Sequence, residues 1–234
     1  MSRSSTPVRL AVATAVVSAC AAAPPAQAQT GSPSRETSRF ELDIGAAWIG
    51  SANFGTRPAT ETAPSGPRFV LFSTSTRLDG AVGIEARVGY RLTSVFEIEA
   101  VTSYSAPKLS TTIASDAENA SPATAVVGVK QLTIGGAIVA HLTRFAIGRR
   151  AVPFAEGGVA YLRQLYDTPA AAVGGQAYEV GGGVKYIVGR RPGARVSAVG
   201  IRGDIRAVAR RGGVAPDGGT HLSPAAGASL FLSF

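Results

Sequence analysis

From Phe40 onward the chain alternates apolar and polar positions with a period of two, the spacing of a strand and not of a helix. In residues 40–48, Phe40, Leu42, Ile44, Ala46 and Trp48 share one face, and Glu41, Asp43, Gly45 and Ala47 share the other. Residues 83–92 split into Ile84, Ala86, Val88, Tyr90 and Leu92 against Glu85, Arg87, Gly89 and Arg91. Residues 96–104 set Phe96, Ile98, Ala100, Thr102 and Tyr104 against Glu97, Glu99 and Val101. The same split recurs in 132–142, 178–188, 199–208 and 226–234, the last opposing Ala226, Ala228, Leu230, Leu232 and Phe234 to Gly227, Ser229, Phe231 and Ser233. In 153–162 the parity is ambiguous, and Glu156 is used to place Phe154, Glu156, Gly158 and Ala160 on the polar side. Eight strands are predicted.

In the seven clear segments the apolar face carries no charge. The other face carries Glu41, Asp43, Glu85, Glu97, Glu99, Glu179 and Asp204, with Arg87, Arg91, Lys185, Arg202 and Arg206, and Glu156 joins them from the eighth. A soluble sandwich or lipocalin-like barrel turns its apolar face inward. Here that would pack a core from many Ala and Gly, which is poor filling. An outer-membrane barrel inverts the arrangement, apolar toward lipid and polar toward the lumen.

The connections agree. They alternate long and short: 50–81, 105–128, 164–176 and 209–221 are the longer ones, and 93–94, 143–151 and 189–194 the shorter ones. Transmembrane barrels have short periplasmic turns and longer outer loops. The fold class expected is all-β, an eight-stranded antiparallel up-and-down transmembrane β-barrel with a polar lumen, over residues 40–234.

The start of the chain reads as an export signal. Arg3 and Arg9 precede an apolar run over 10–17, and Ala26, Gln27 and Ala28 offer an A-x-A cleavage site. Val17, Ser18, Ala19 and Cys20 resemble a lipobox, in which Cys20 would be lipidated. The order of Pro24, Pro25 and the A-x-A favours cleavage after Ala28, so 1–28 is expected to be a signal peptide and 29–39 a disordered lead-in. Without Cys20, the single cysteine, the mature chain has no disulfide and no thiol chemistry. The cell outer membrane is the expected destination.

The net charge of +8 suggests nucleic acid, but the basic residues are scattered and lack interleaved aromatics. Nucleic-acid binding is therefore not expected. Basic loops facing anionic lipid are the simpler account, with Lys108, Lys130, Arg163, Arg210 and Arg211 near the outer rim and available to lipopolysaccharide.

The residues from Ala228 to Phe234 end on a terminal Phe after alternating apolar positions. With the export signal and the eight segments, this resembles the small outer-membrane barrels of the OmpX and OmpA transmembrane-domain type. The resemblance implies that Leu230, Leu232 and Phe234 form the signal read by the barrel-insertion machinery. It implies fold and compartment but no single activity, because members include tethers, adhesins, channels and lipid-modifying enzymes.

An eight-stranded barrel is just wide enough for side chains to fill it. Two readings of the lumen charges follow: a salt-bridge plug that fixes the barrel, or a gated path for ions or very small solutes. His221 and Ser223 share a strand face, where a base can activate a nucleophile. A barrel-type deacylase of lipid A pairs such residues with an acid. Here no acid follows Ser223, and Pro224 is expected to interrupt the strand. His141 has no ligand neighbours in sequence, so no metal is expected. No cofactor, catalytic residue or enzymatic activity is expected. The apolar run Phe69, Val70, Leu71 and Phe72 is expected to extend a strand, cap the mouth, or bind an extracellular protein or lipid ligand.

Overall fold

The computed structural model describes residues 39–234 except 63, 115–116, 118–119, 149, 168–170, 192–193 and 217. The expected signal peptide, Cys20 and all but the last residue of the lead-in lie outside the described residues. Among the described residues eleven strands form: β1 (Phe40–Ile49), β2 (Ala52–Thr62), β3 (Arg68–Leu78), β4 (Ala81–Arg91), β5 (Phe96–Ser105), β6 (Lys108–Ala114), β7 (Ala123–His141), β8 (Ala151–Tyr166), β9 (Ala172–Arg190), β10 (Ala198–Gly212) and β11 (Thr220–Ser233). Eight of them, β1, β4, β5 and β7 to β11, pair antiparallel with their neighbours. The β7–β8 and β1–β11 pairings complete the ring, so the sheet closes on itself and leaves no barrel edge unpaired.

Alternation along β10 shows which side is which. Ile205 is 74% exposed, whereas Arg206 is 7% and Arg202 0% exposed. On the other strands Ile44, Ile84, Ile138, Val180 and Leu230 point outward, and Glu97, Glu156 and Lys185 are buried. Charged side chains fill the inside while large aliphatic ones cover the outside. In water this arrangement would expose the apolar groups and bury the charges, so the exterior is a lipid-facing surface. Among the described residues no helix is long and apolar enough to cross a membrane; this chain crosses with strands. Outward aromatics stand near both ends of the barrel wall. Phe40, Phe96 and Phe234 lie at the end carrying Arg39 and Phe234, called here the terminal end, and Trp48, Tyr104, Tyr161 and Tyr178 lie toward the other. The eight steps from Phe40 to Trp48, tilted as barrel strands are, span about 20 Å, close to the apolar band of outer-membrane barrels. The protein is an outer-membrane-type β-barrel.

The outer connections differ from expectation. Residues 50–81 contain the β2–β3 hairpin, and 105–128 contain β6 and the start of β7. These strands form a second small sheet, ordered β2-β3-β6-β7, at the end of the barrel opposite the terminal one. The β8–β9 and β10–β11 hairpins also continue past the expected boundaries, pairing Leu165 with Ala172 and Arg211 with Thr220. Backbone pairing therefore continues beyond the eight wall segments.

Pro224 does not interrupt β11. Its carbonyl accepts from Gly50 N at 2.7 Å, so the missing N–H faces the end of β1, where that strand is leaving the wall, and the ladder to β10 runs on. Two glycines make room for the interior. A Cβ at Gly89 would overlap the Glu97 carboxylate, and one at Gly200 would overlap the Phe231 ring. Gly200 also sits at the single register shift of the β9–β10 pair.

Candidate functional site: the barrel lumen

The structure turns all thirteen lumen charges of the sequence reading toward the interior, where each lies within ion-pair distance of a partner. The pairs form three tiers. Nearest the terminal end, Lys185 Nζ contacts Glu41 and stands 3.3 Å from Glu97 and 3.6 Å from Glu99. Arg91, a third exposed, closes this tier 3.8 Å from Glu41 and 3.6 Å from Glu97. Ser233 Oγ donates to Glu41 at 3.3 Å, and His141 Nε2 lies 2.7 Å from Glu97 Oε2.

In the middle tier Arg202 donates to Asp43 at 3.2 Å, to Glu99 at 2.6 Å and to Glu156 at 2.7 Å. Arg87 donates to the same Glu99 and Glu156, each at 2.9 Å, and to Glu85 at 2.9 Å. The Phe154 ring packs 4.4 Å from the Arg202 guanidinium carbon, a cation–π contact away from water. In the third tier Arg206 donates to Glu85 at 3.0 Å and to Glu179 at 3.1 Å. Its Nε is 2.8 Å from Asp204 Oδ2 without hydrogen-bond geometry, an ion pair by proximity alone.

The tiers are joined by shared carboxylates: Glu99 touches Lys185, Arg202 and Arg87, and Glu85 touches Arg87 and Arg206. Two guanidiniums on one carboxylate satisfy more of its lone pairs than one can, which is what charges away from water require. Arg202 is reached by carboxylates from β1, β5 and β8, so it ties three parts of the wall together.

Among the described residues one acidic group has metal-ligand spacing, with oxygens of Glu41, Glu97 and Glu99 within 4.8 Å of one another. The Lys185 ammonium stands among these oxygens and supplies the cation the carboxylates need. His221 and Ser223 face different neighbours. Ser223 is fully buried and donates to the Ser51 carbonyl at 3.3 Å, and the His221 ring packs edge-on to Phe54 at 4.8 Å.

Above the third tier the interior changes character. Ala52, Phe54, Leu78, Val129 and Val214 form an apolar cluster supported by Leu109, Tyr166, Val173 and Ala215. Val214 lies in the β10–β11 connection, and the cluster sits across the outer mouth. Phe69 and Val70 take no part in it; they lie exposed at the far end of β3. Between cluster and ion pairs is a cavity of about 40 Å³ lined by Gln131, Thr133, Leu162, Arg206, Val208 and Arg210, among others. Arg210 corrects the sequence reading. It was expected at the outer rim but faces the lumen and is buried, because the parity of Arg206 and Val208 carries on to it. Lys108, Lys130, Arg163 and Arg211 are exposed as expected.

Sequence reasoning missed the Glu97–His141 pair, the Phe154 stacking and the Gln131–Gln164 bond of 2.8 Å. The parity of β7 and β8 placed His141 and Phe154 on the inner face, but nothing in sequence gave the register that joins them to partners.

No family model matches this sequence, and no curated protein sequence matches it significantly. Several solved structures are similar in fold. Neisserial surface protein A aligns with a TM-score of 0.49 and 14% identity over 83% of this chain and 97% of that one. The outer membrane protein OprG from Pseudomonas aeruginosa aligns at 0.47 and 10%, over 84% of this chain and 93% of that one. Ail, the attachment invasion locus protein of Yersinia pestis, solved with the heparin analogue sucrose octasulfate, aligns at 0.42 and 8%, over 84% and 99%.

Proposed function

We propose that this barrel is a non-enzymatic structural or surface-interaction protein of the outer membrane, with its lumen plugged by the charged network. The observation that carries the reading is the filling of the lumen. Arg202, Glu97, Glu156, Arg87 and Lys185 are all buried and tied to one another across the barrel. Charges held this way are a brace, since moving any one of them strands another. The working surfaces are then the outside and the outer sheet. The outer sheet and the exposed Lys108, Lys130, Arg163 and Arg211 suit lipopolysaccharide, or a protein or lipid ligand at the loops. Leu230, Leu232 and Phe234 suit the insertion machinery as its signal.

Planar-bilayer recording of the refolded protein tests the plug. Negligible steady conductance is expected. Well-resolved ion-selective channels in the wild type would overturn it and put the narrow-channel reading first. That second reading is favoured by one observation, the cavity above the third tier, which shows that the lumen is not filled along its whole length.

A further inference from the structure

β10 carries three arginines on its inner face at intervals of four residues: Arg202, Arg206 and Arg210. The first two are held by carboxylates. Arg210 is 7% exposed, and among the described residues no carboxylate lies within ion-pair distance of it and no hydrogen bond satisfies it. Its neighbours across the ladder are Ala177 and His221. A guanidinium removed from water without a counter-charge is strongly unfavourable, and proteins resolve this by pairing it.

The surroundings of Arg210 contain donors. Val214 N donates to Gln164 Oε1 at 2.8 Å, which fixes the orientation of that amide. Gln164 Nε2 then donates to Gln131 Oε1, which orients the Gln131 amide and leaves its NH2 group as a donor. Gln131, Thr133 and Ser103 line the same cavity as Arg210. The carboxylates on its floor are already engaged. Glu85 is shared by Arg87 and Arg206, and Glu179 is held by Arg206. Leu162, Val208 and Ala225 supply the apolar part of its wall. A cavity of about 40 Å³ has room for roughly one to three water-sized particles, the size of a halide ion.

We propose that Arg210 and this cavity form a binding site for a small inorganic monoanion of halide size, with Gln131, Thr133 and Ser103 as supporting donors. The site completes the cation ladder of β10: two arginines are paired by the protein's own acids and the third by a mobile ion. It holds whether or not the lumen conducts.

The test uses the refolded full barrel in detergent micelles. Thermal unfolding, followed by Trp48 fluorescence, is measured while sodium chloride replaces sodium gluconate at fixed ionic strength. The wild-type midpoint should rise saturably, by roughly 5–10 °C once chloride exceeds its Kd a hundredfold. Arg210→Met should show no chloride response, and in gluconate it should be more stable than the wild type, because the uncompensated charge is gone. Arg211→Met, on the exposed side of the same strand, should keep the full response. Bromide soaked into crystals should give an anomalous peak beside Arg210. Equal wild-type midpoints in chloride and gluconate would overturn the proposal and leave Arg210 hydrated by water. So would a chloride response retained in Arg210→Met, or a bromide peak elsewhere in the lumen with none at Arg210.

Discussion

The two halves of the barrel interior are filled by different chemistry. Toward the terminal end the lumen holds ion pairs in three tiers, from Lys185 and Glu97 up to Arg206 and Glu179. Toward the outer mouth it holds Phe54, Leu78, Val129 and Val214. The difference follows from what each half is made of. The lower half consists only of wall strands, whose outward positions lipid reserves for apolar residues, so polarity collects inside. The upper half receives Phe54, Leu78 and Val214 from connections free to fold back over the mouth, and these close it by ordinary hydrophobic burial. One half therefore depends on geometry among charges, and the other on area removed from water.

The largest effect expected is in the ion-paired half. Arg202→Ala leaves Asp43, Glu99 and Glu156 short of a partner, which should cost roughly 3–5 kcal/mol. In electrophoresis of samples heated stepwise, the folded band should convert to the unfolded form at clearly lower temperature than in the wild type. An unchanged midpoint would mean that water, not Arg202, already compensates these carboxylates, and the two halves would then differ less than their contacts suggest.

Both halves hang on the same outer wall, so the next test addresses the parity that defines inside and outside. Ile138 is 58% exposed and Val184 44% exposed on the lipid side. Ile138→Arg and Val184→Arg should each cost about 2–4 kcal/mol near the bilayer midplane and lower assembly yield in membranes. Thr133→Arg, directed into the lumen cavity, should act instead by crowding Arg206 and Arg210. Similar yields for all three would contradict the inside–outside assignment.

Much of this contrast was legible in the sequence, and its limits are physical. Parity was readable wherever charge opposed aliphatic residues, as at Glu97 and Ile98 or Arg202 and Ile201. In β8, Glu156 alone was enough to place Phe154 inside. Partners were not readable, because the network joins residues as distant as Glu41 and Lys185, and cross-barrel contact depends on registers that alternation does not encode. The outer sheet was invisible for a different reason. β2 reads Ala-Asn-Phe-Gly-Thr-Arg-Pro and β6 is rich in Ser and Thr, so neither shows a period-two apolar signal. The cap was missed with it, since Phe54 and Leu78 lie on strands taken as loop.

The apolar half should respond more locally. Leu78 is 1% exposed, and Leu78→Ala should cost about 2 kcal/mol, at the low end for buried leucine because loops can settle into the space. The expected sign is faster proteolysis of the outer connections with the barrel band still heat-modifiable at nearly its normal midpoint. Loss of the barrel itself would show that the cap is part of the fold's cooperative unit, which would erase the distinction between a braced wall and a lid.

The smallest effect expected comes from an arginine with neither environment. Arg190 ends β9 beside the short β9–β10 connection, and it is exposed. Among the described residues no carboxylate pairs with it. Arg190→Ala should therefore change stability by no more than about 0.5 kcal/mol. It carries the same charge on a neighbouring strand to Arg202, so the pair of alanine variants isolates burial from charge. A large loss in both would trace the cost to net charge of the barrel as a whole. A large loss in Arg202→Ala alone assigns it to the enclosed contacts with Asp43, Glu99 and Glu156. Measured side by side in low and high salt, the Arg202 deficit should change little, because an ion pair this enclosed is beyond the reach of screening ions.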